Sequence, residues 1–326
     1  MKSLEGKVVA VTGAGRGIGR AIAQRVAAEG GKVVVADFGG ALGTLAASSA
    51  GPAETVTKEI RAAGGTATAC AENIATAAGA KRMVEAARDN YGRLDGMVCA
   101  AGLYNQRPLW EMTDEEWDDV IASHLRGHFC CTRAAIPLMR EQKSGSMVHF
   151  SSAAAYMTPP EAAAYNAAKS GVLGFMRTAS RELRDFGIRV NAVLPGAATR
   201  MTDEIYSRWG ILTNDVKANT SSGAANVNTE ETKAQGLGLK SDLAAGTWRD
   251  PANVAPFVAF LLSERAARVQ GQAFCVVGYQ VTHLRDRSYG KTIRAEKTWE
   301  VDDLARRFDA ELAPGLDDST LPWPPV

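Results

Sequence analysis

The sequence of 326 residues lacks the features that mark several classes of protein. No apolar run approaches the roughly eighteen residues of a membrane-spanning helix, and the N-terminal segment MKSLEGKVVAV contains no signal-peptide core. The 37 basic and 36 acidic residues leave a formal charge of +1, which argues against a nucleic-acid binder and against a charged disordered chain. We therefore expect a globular, cytoplasmic protein that binds small molecules and engages neither nucleic acid nor membrane.

Cysteine is scarce and unpatterned. The five cysteines are odd in number, lie mostly in apolar runs and include no CxxC pair: Cys70, Cys99, Cys130, Cys131 and Cys275. Disulfide frameworks and thiolate metal sites depend on more regular spacing, so the sequence predicts buried free thiols and no metal site.

Short β-branched segments alternate with longer, alanine-rich amphipathic segments, which is the pattern of a parallel sheet with crossover helices. The predicted strands are 7–12, 32–37, 66–70, 94–99, 146–151, 188–194 and 272–277. The predicted helices are 18–29, 53–63, 77–91, 114–142, 160–185 and 251–263, the fourth opened by a capping box in TDEE, 113–116. This alternation predicts an α/β fold: a single Rossmann-type, doubly wound parallel sheet of about seven strands with helices on both faces.

Two segments interrupt this alternation. Residues 200–248 contain a polar run rich in Gly, Asn and Thr that is too long for an ordinary connection, so we expect a substrate lid or a partly disordered insert. Residues 279–326 follow the last predicted strand and end in LPWPPV. We expect one domain over 1–278 and a C-terminal extension over 279–326 that packs on the domain or on a neighbouring subunit.

A glycine-rich segment, TGAGRGIGRAIA from Thr12 to Ala23, directly follows the first predicted strand and opens the first predicted helix. Gly13, Gly17 and Gly19 allow a tight turn and close approach of the backbone to a pyrophosphate at the helix N-terminus. A glycine string alone is a weak signal, but this strand-to-helix context is the one that dinucleotide binding requires.

Two charged residues give opposite indications about the cofactor. Asp37 ends the second predicted strand, where a carboxylate accepts hydrogen bonds from the ribose hydroxyls of NAD and repels the 2′-phosphate of NADP. Arg16, in the glycine loop, could pair with that phosphate. We predict NAD with NADP as the alternative; the competing interpretation of Asp37 is a solvated carboxylate at a strand end with no ligand role.

The segment YNAAK places Tyr165 and Lys169 four residues apart in a predicted helix, so both side chains project from one face. A cation beside a phenol favours the phenolate and thereby assists proton exchange in catalysis. Such a pair also occurs often by chance, so by itself it indicates catalysis only weakly.

Together these segments resemble the short-chain dehydrogenases/reductases over residues 5–280. The resemblance rests on motifs in the family's order: TGAGRGIG, VCAAG (98–102), FSSAAAY (150–156), YNAAK (165–169) and NAVLPG (191–196). Within the family the chain is most similar to the branch that contains the (3R)-hydroxyacyl-CoA dehydrogenase domains of peroxisomal multifunctional enzymes and related bacterial dehydrogenases. That narrower similarity is carried by ADFGG (36–40) with the insert up to Pro52, SHLRGHF (123–129) and PGAATRMT (195–202).

The resemblance implies roles for particular residues. Tyr165 would be the general acid/base, Lys169 would lower its pKa and hold the nicotinamide ribose, and Ser152, rather than Ser151, would hydrogen-bond the substrate oxygen. The implied cofactor-binding residues are Thr12, Gly13, Gly15, Arg16, Gly17, Ile18, Gly19, Asp37, Asn73, Ile74, Ala100, Ala101, Gly102, Tyr165, Lys169, Pro195, Gly196 and Thr199.

The sequence departs from the family pattern at three cofactor positions. Residues 99–102 read CAAG where NNAG is common, so the amide side chains that brace this loop in relatives are absent. Asn73 replaces an acidic residue at the adenine amine, and its amide could still accept from that amine. Arg200 stands where a threonine often meets the carboxamide, which leaves Thr199 or Thr202 as replacements.

A fourth departure concerns proton transfer. His124 takes the place of an asparagine that, in many relatives, helps organise a water passing protons to the catalytic lysine. An imidazole could hold the same water and would titrate near pH 6.5, so we expect His124 to assist in its neutral form and to lose that role in acid. The alternative is a histidine that fills the helix interior and bonds a backbone carbonyl.

The sequence thus predicts an NAD-dependent oxidoreductase of apolar secondary alcohols and their ketones, with 3-hydroxyacyl thioesters and alicyclic or aromatic alcohols among the candidates. The alternatives are an NADPH-dependent 3-oxoacyl reductase and a non-catalytic, cofactor-binding regulator. We expect a homodimer or homotetramer. We expect five residues either to form an apolar wall near the reacting carbon or simply to pack in the core or an interface: Leu103, Tyr104, Tyr156, Met157 and Trp209.

Overall fold

A computed structural model of the chain describes residues 2–45, 48–214, 238–285, 292–294 and 301–312. Its contacts define two units, Met1–Leu284 and Arg285–Val326. The first unit contains a single β-sheet and the cleft analysed below. In the second unit a helix, Val301–Arg307, continues into a π-helical turn, Phe308–Leu312.

The described residues form eight strands of one sheet: β1 (Val8–Thr12), β2 (Lys32–Ala36), β3 (Thr66–Cys70), β4 (Gly96–Cys99), β5 (Gly145–Phe150), β6 (Ile188–Gly196), β7 (Ala273–Val277) and β8 (Gln280–Leu284). Their order is β3-β2-β1-β4-β5-β6-β7-β8, with β8 antiparallel to β7 and all other pairs parallel. The chain moves outward from β1 through β2 to β3 and then crosses back to β4. The crevice between the carboxyl ends of β1 and β4 is therefore the topological switch point, where open α/β sheets bind ligands.

The helices of the first unit are α1 (Gly17–Ala28), α2 (Gly51–Ala62), α3 (Ala77–Tyr91), α4 (Asp114–Ile121), α5 (Gly127–Gln142), α6 (Ala154–Met157), α7 (Ala163–Leu183), α8 (Arg200–Arg208) and α9 (Ala255–Leu262). A π-helical segment, Ala122–Arg126, joins α4 to α5. None of the helices in the described ranges combines the length and the hydropathy that crossing a membrane requires.

The sheet is buried on both faces, as its parallel strands require. Alternate residues of β1 enter two different hydrophobic clusters: Val8 and Ala10 enter one, Val9 and Val11 the other. The first cluster includes residues of α3, α5 and α7, and the second residues of α1, α2 and α9. The prediction of a doubly wound α/β sheet is therefore confirmed.

All seven predicted strands form with bounds within two residues of those expected. The eighth strand was missed because Gln280–Leu284 is an exposed edge segment without an apolar run, reached through a tight turn in which Gly278 has φ +54°. A Cβ on Gly278 would lie 2.1 Å from the Trp248 ring. Because β8 extends the sheet, the first unit ends at Leu284 and not at residue 278.

Helix predictions differ from the structure where the backbone is irregular. The helix expected over 114–142 is interrupted by the π-helical segment, and the helix expected over 160–185 begins only at Ala163. In the segment 200–248, the structure forms α8, which Thr199 and Thr202 open with reciprocal cap hydrogen bonds. Residues 215–237, the centre of the expected lid, lie outside the described residues.

The five cysteines are free, four of them buried and Cys275 half-buried. In the NAVLPG segment, Asn191 is fully buried and joins β6 to the turn before β7. Its Nδ2 donates to the Val269 carbonyl at 2.9 Å and its Oδ1 accepts from the Gln272 amide at 3.0 Å. This part of the family motif is therefore structural.

Asn191→Ala should lower the free energy of unfolding by about 2–3 kcal/mol, because it removes a buried amide that bonds the carbonyl of half-buried Val269 and the amide of half-buried Gln272. Denaturant unfolding measures the change, and Asn90→Ala, on the exposed side of α3, should change stability by less than about 0.5 kcal/mol. Equal effects of the two substitutions would contradict the structural role of Asn191.

Candidate active site

A cleft of about 660 Å³ lies at the carboxyl ends of the central strands. It is lined by every predicted cofactor-binding residue except Thr12 and Gly196, and also by His124 and Ser151. Ser152 is half-buried beside it. The predicted motifs, which are scattered over almost two hundred residues of sequence, therefore meet in one place.

The glycine loop has the shape that a dinucleotide requires. Gly13 has φ +66°, and a Cβ there would lie 2.8 Å from the Cα of Ala101. A Cβ on Gly19 would lie 2.1 Å from the Gly13 carbonyl oxygen. The loop leads into the N-terminus of α1, whose free amide groups favour an anion, so a pyrophosphate fits this cradle.

Thr12 lies beneath the cleft and holds two strands together. Its buried hydroxyl oxygen accepts hydrogen bonds from the Ala100 amide at 3.0 Å and the Ala101 amide at 3.1 Å. These bonds tie the end of β1 to the loop after β4. The loop is thus braced from β1, although residues 99–102 lack the amide side chains found in relatives.

Asp37 fixes the glycine loop to the end of β2. Its Oδ2 accepts from the Gly15 amide at 2.8 Å and its Oδ1 from the Gly39 amide at 2.8 Å. A carboxylate has lone pairs beyond these two, so Asp37 can also accept from a ribose hydroxyl. Asp37 therefore has a structural role in addition to the predicted contact with ribose, and the sequence pattern did not indicate the structural role.

Two exposed arginines line the same end of the cleft as Asp37. Arg16 is in the glycine loop and Arg200 begins α8. Burial lowers the pKa of Arg200, the positive charge of Arg16 lowers it further and the carboxylate of Asp37 opposes both. Arg16, Arg200 and Asp37 are therefore close enough to influence one another electrostatically.

Asn73 follows β3 and lines the cleft where adenine was expected. Its Oδ1 accepts from the Ala75 amide at 3.0 Å, which stabilises the turn into α3. The side-chain NH₂ group is the part of the amide left for a ligand ring. The expected acceptance from an adenine amine would have to share the oxygen with Ala75.

Lys169 and Tyr165 lie one turn apart on α7, as their spacing predicts. The Lys169 Nζ is 5.5 Å from the centroid of the Tyr165 ring and donates to the Phe150 carbonyl at 2.7 Å. Lys169 is only 4% exposed, and this burial lowers the pKa of its ammonium to about 7. The lysine is therefore poised to change charge near neutral pH.

The phenol of Tyr165 behaves differently from the sequence expectation. Burial raises its pKa, and the hydrogen bond with the Ser152 hydroxyl opposes that rise. The charge of Lys169, whose Nζ lies 5.5 Å from the ring centroid, adds no comparable lowering of the Tyr165 pKa in the free protein. In the free protein, Ser152 is the side chain that favours phenolate.

The two adjacent serines have different tasks. Ser151 is buried and its hydroxyl donates to the Lys169 carbonyl at 2.8 Å, which attaches the end of β5 to α7. Ser152 accepts from the Ala154 amide at 3.2 Å and bonds the phenol of Tyr165. This geometry favours Ser152 over Ser151 as the contact to a substrate oxygen.

Apolar side chains surround Tyr165, some of them in the core. Leu103 and Tyr104 are both 3% exposed, and the Tyr104 ring meets the Tyr165 ring edge-on with centroids 5.1 Å apart. Leu103 lines the cleft. Tyr156 and Met157 are half-buried on α6, and Trp209 packs against Tyr206 at 6.1 Å. Of the five expected wall residues, Leu103 is therefore the one that the cleft directly exposes.

His124 is buried in the π-helical segment, with its ring 5.1 Å from that of Tyr165 and nearly perpendicular to it. Its Nε2 lies 2.7 Å from the Leu103 carbonyl oxygen. A carbonyl only accepts, so Nε2 carries the proton and Nδ1 is an acceptor. Burial and the charge of Lys169 hold the pKa of His124 well below 6.5, which departs from the expected titration at that pH.

This geometry can be compared with known proteins. The family described as short chain dehydrogenase matches residues 7–208. A 3-oxoacyl-(acyl-carrier-protein) reductase of Synechocystis is 41% identical over 206 residues, 63% of this chain and 80% of the relative. The reductase FabG of Staphylococcus aureus is 35% identical over 273 residues, 83% and 97% of the two chains. A crystal structure of a short chain dehydrogenase from Mycobacterium avium has TM-score 0.75 at 30% identity and 95% coverage of both chains.

The chain belongs to the short-chain dehydrogenase/reductase family, as its motifs predicted. It is an NAD(P)-dependent oxidoreductase with a Rossmann-like fold. A nicotinamide cofactor fits the cleft, because the glycine loop leaves the space that a pyrophosphate needs and Lys169 stands at the other end.

Lys169→Met should change how stability depends on pH. The folded lysine has a pKa of about 7 against an ordinary value of 10.5, so the unfolded chain takes up the proton first as pH falls. Burial of the charged ammonium destabilises the folded protein fully below pH 7. This destabilisation disappears as the pH rises from about 7 to 10.5. The free energy of unfolding of the parent should therefore rise relative to Lys169→Met by on the order of 4 kcal/mol between these limits.

Denaturant unfolding at a series of pH values measures this difference. Lys58→Met, at an exposed position on α2, is the matched control. Its free energy of unfolding should differ from that of the parent by the same amount at every pH. A flat difference for Lys169→Met as well would mean that the amine is solvated in the folded protein.

Proposed function

We propose that the protein interconverts a secondary alcohol and its ketone, with Tyr165 as the proton-transferring group. The observation that carries this proposal is the convergence of Ser152, Tyr165 and Lys169 at the cleft, with a hydrogen bond between the first two and the lysine one turn away. A fold kept only for binding the cofactor would not need this arrangement, which argues against a non-catalytic regulator.

The chemistry of each residue follows from its surroundings. Burial keeps Tyr165 protonated at neutral pH, so in reduction its hydroxyl can give a proton to the oxygen of the ketone. Ser152 can donate to the same oxygen and hold it beside the phenol. The bound nicotinamide supplies the hydride to the carbonyl carbon, or accepts it in the reverse direction. Lys169 then stabilises the phenolate that remains.

The substrate class we favour is a 3-oxoacyl thioester or the corresponding 3-hydroxyacyl thioester. Two observations support it: relatives of 35% and 41% identity are named 3-oxoacyl-(acyl-carrier-protein) reductases, and Leu103 gives the cleft an apolar side at Tyr165. Alicyclic and aromatic alcohols also suit an apolar side and are the competing substrates in this class.

The cofactor we favour is NAD, because the carboxylate of Asp37 stands at the end of β2 where the 2′-phosphate of NADP would lie. NADPH is the second candidate. It is supported by Arg16 and Arg200, whose positive charges lie in the same part of the cleft as the carboxylate of Asp37. NAD is expected if the negative charge of Asp37 dominates, and NADPH is expected if the positive charges of Arg16 and Arg200 dominate.

We also propose a homodimer or homotetramer, with the extension after residue 284 packing on the domain or on a neighbouring subunit. β8 supports self-association, since Tyr279 is 72% and Val281 49% exposed at the strand that ends the sheet among the described residues. The segment around 202–248 remains our candidate for a substrate lid, because it follows β6 at the carboxyl edge of the sheet.

Tyr165→Phe should lower kcat by a factor of about 10² to 10⁴ while leaving cofactor binding intact, because the ring remains and only the exchangeable proton is lost. Steady-state kinetics and fluorescence titration of the reduced cofactor measure the two quantities. Tyr279→Phe, on the exposed turn before β8, is the control. Activity within a few-fold of the parent would remove Tyr165 from the reaction.

Asp37→Asn should narrow the preference for NAD over NADP by about ten-fold in Kd, because it removes a negative charge and keeps an acceptor for the glycine loop. Arg16→Ala and Arg200→Ala should weaken NADP more than NAD. Asp89→Asn, exposed on α3, serves as the control. A parent that already binds NADP more tightly would show that the arginines dominate.

A further inference from the structure

Glu161 lies in the turn before α7 in a backbone conformation that favours glycine. Among the described residues, three that are not glycine have a positive φ: Lys143, Thr158 and Glu161. The first two end helices, where a left-handed residue is usual. Glu161, at φ +60°, ends no helix, so contacts with other parts of the protein have to hold it in this conformation.

Some of these contacts come from the loop after β4. The Arg107 amide donates to the Glu161 carbonyl at 2.7 Å. The Gln106 Nε2 lies 3.4 Å from the Glu161 Oε2, which is long for a hydrogen bond. The backbone bond is therefore the firmer of the two, and it joins the loop after β4 to the turn before α7.

The remaining contact comes from Arg208, the last residue of α8. Its Nη2 lies 2.8 Å from the Glu161 Oε2, and its Nη1 donates to the Gln106 carbonyl at 2.8 Å. The guanidinium thus bridges the turn before α7 and the loop after β4. The side chains of Arg208 and Glu161 are 46% and 35% exposed, so their ion pair is modest in strength and is weakened by salt.

Each of the three joined elements also lines the cleft. The loop after β4 contributes Leu103, α8 contributes Met201, and α7 contributes Tyr165, four residues after Glu161. The ring of Tyr104, in the same loop, meets the Tyr165 ring edge-on with centroids 5.1 Å apart. The contacts of Glu161 therefore connect three walls of the cleft at a point that does not itself line it.

We propose that Glu161 is a positioning residue, which holds α8 and the loop after β4 in place beside Tyr165 for a substrate. Its carboxylate holds α8 through Arg208, and its carbonyl holds the loop through Arg107. Without the carboxylate, a substrate would have to order α8 when it binds, and such ordering weakens binding. The effect on the substrate rests on the proposed function, whereas the effect on α8 does not.

Glu161→Gly and Glu161→Ala separate positioning from a merely structural role. Both remove the carboxylate, but glycine accepts a left-handed backbone and alanine does not. The midpoint of denaturant unfolding should therefore be lower for Glu161→Ala than for Glu161→Gly. With saturating cofactor and an uncharged ketone, ethyl 3-oxobutanoate, both should raise KM about three- to five-fold and leave kcat within about two-fold of the parent.

Salt dependence identifies the ion pair as the cause. The KM of the parent should rise toward that of Glu161→Gly as the ionic strength increases to about 0.5 M, whereas the KM of Glu161→Gly should not change with salt. Arg208→Met should also raise KM, and the double variant should raise it by less than the product of the two single effects. Arg88→Met, which breaks an exposed ion pair on α3, is the matched control and should leave KM unchanged.

Hydrogen exchange tests the same contact without turnover. In Glu161→Gly, the amides of α8 should exchange several-fold faster than in the parent, while those of α3 should exchange at the parental rate. Arg88→Met should change neither.

Unchanged exchange in α8, or a KM equal to that of the parent, in folded Glu161→Gly would overturn the proposal. A rise in KM that followed stability, and was therefore larger for Glu161→Ala than for Glu161→Gly, would make Glu161 a structural residue and would also overturn it. A parent that turns over no ketone would reject the proposed function alone, and the exchange of α8 would then decide whether Glu161 holds that helix.

Discussion

The burial of one amine organises the active corner of this protein. Lys169 lies in α7 with its ammonium against the carbonyl that ends β5, and its own carbonyl accepts from Ser151 at the same strand end. A buried charge is costly unless it is paired or hydrogen-bonded, so the surroundings of this amine have to be polar at fixed positions. The Phe150 carbonyl supplies such a partner for the ammonium, and the Tyr165 ring, 5.5 Å away, lies beside the ammonium at the cleft.

The strands, the doubly wound sheet and the glycine loop could be predicted from sequence because they depend on local signals. The alternation of short β-branched and long amphipathic segments fixes a doubly wound sheet, and glycines between a strand and a helix indicate a pyrophosphate cradle. Tyr165 and Lys169 share a helix, so their adjacency follows from spacing alone. The roles that sequence reasoning missed, even for residues that it named, depend on contacts between distant segments. Thr12 braces the loop after β4, and nothing around residue 12 indicates it.

Other structural features that the sequence analysis did not predict also have physical causes. The π-helical segment inserts an irregular turn into an otherwise regular helical pattern, and β8 has neither apolar periodicity nor burial. The pKa of Tyr165 could not be derived from its spacing to Lys169, because burial acts on both groups in opposite directions. Asp37 appears in sequence as a ligand for ribose, yet in the structure it first holds the glycine loop. We therefore propose that cofactor choice depends on the balance of Asp37 with Arg16 and Arg200 and not on one residue.

The central claim is that Tyr165, with Ser152 and Lys169 beside it, transfers a proton to a ketone oxygen while hydride moves to the carbon. The most direct measurement is the change in absorbance of the reduced nicotinamide when purified protein is given 3-oxoacyl thioesters or simple ketones, with NADH and NADPH in parallel. The account predicts turnover of at least one ketone class, with higher kcat/KM for 3-oxoacyl thioesters and with NADH. Tight binding of both cofactors without turnover of any ketone, or of any secondary alcohol in the reverse direction, would contradict it.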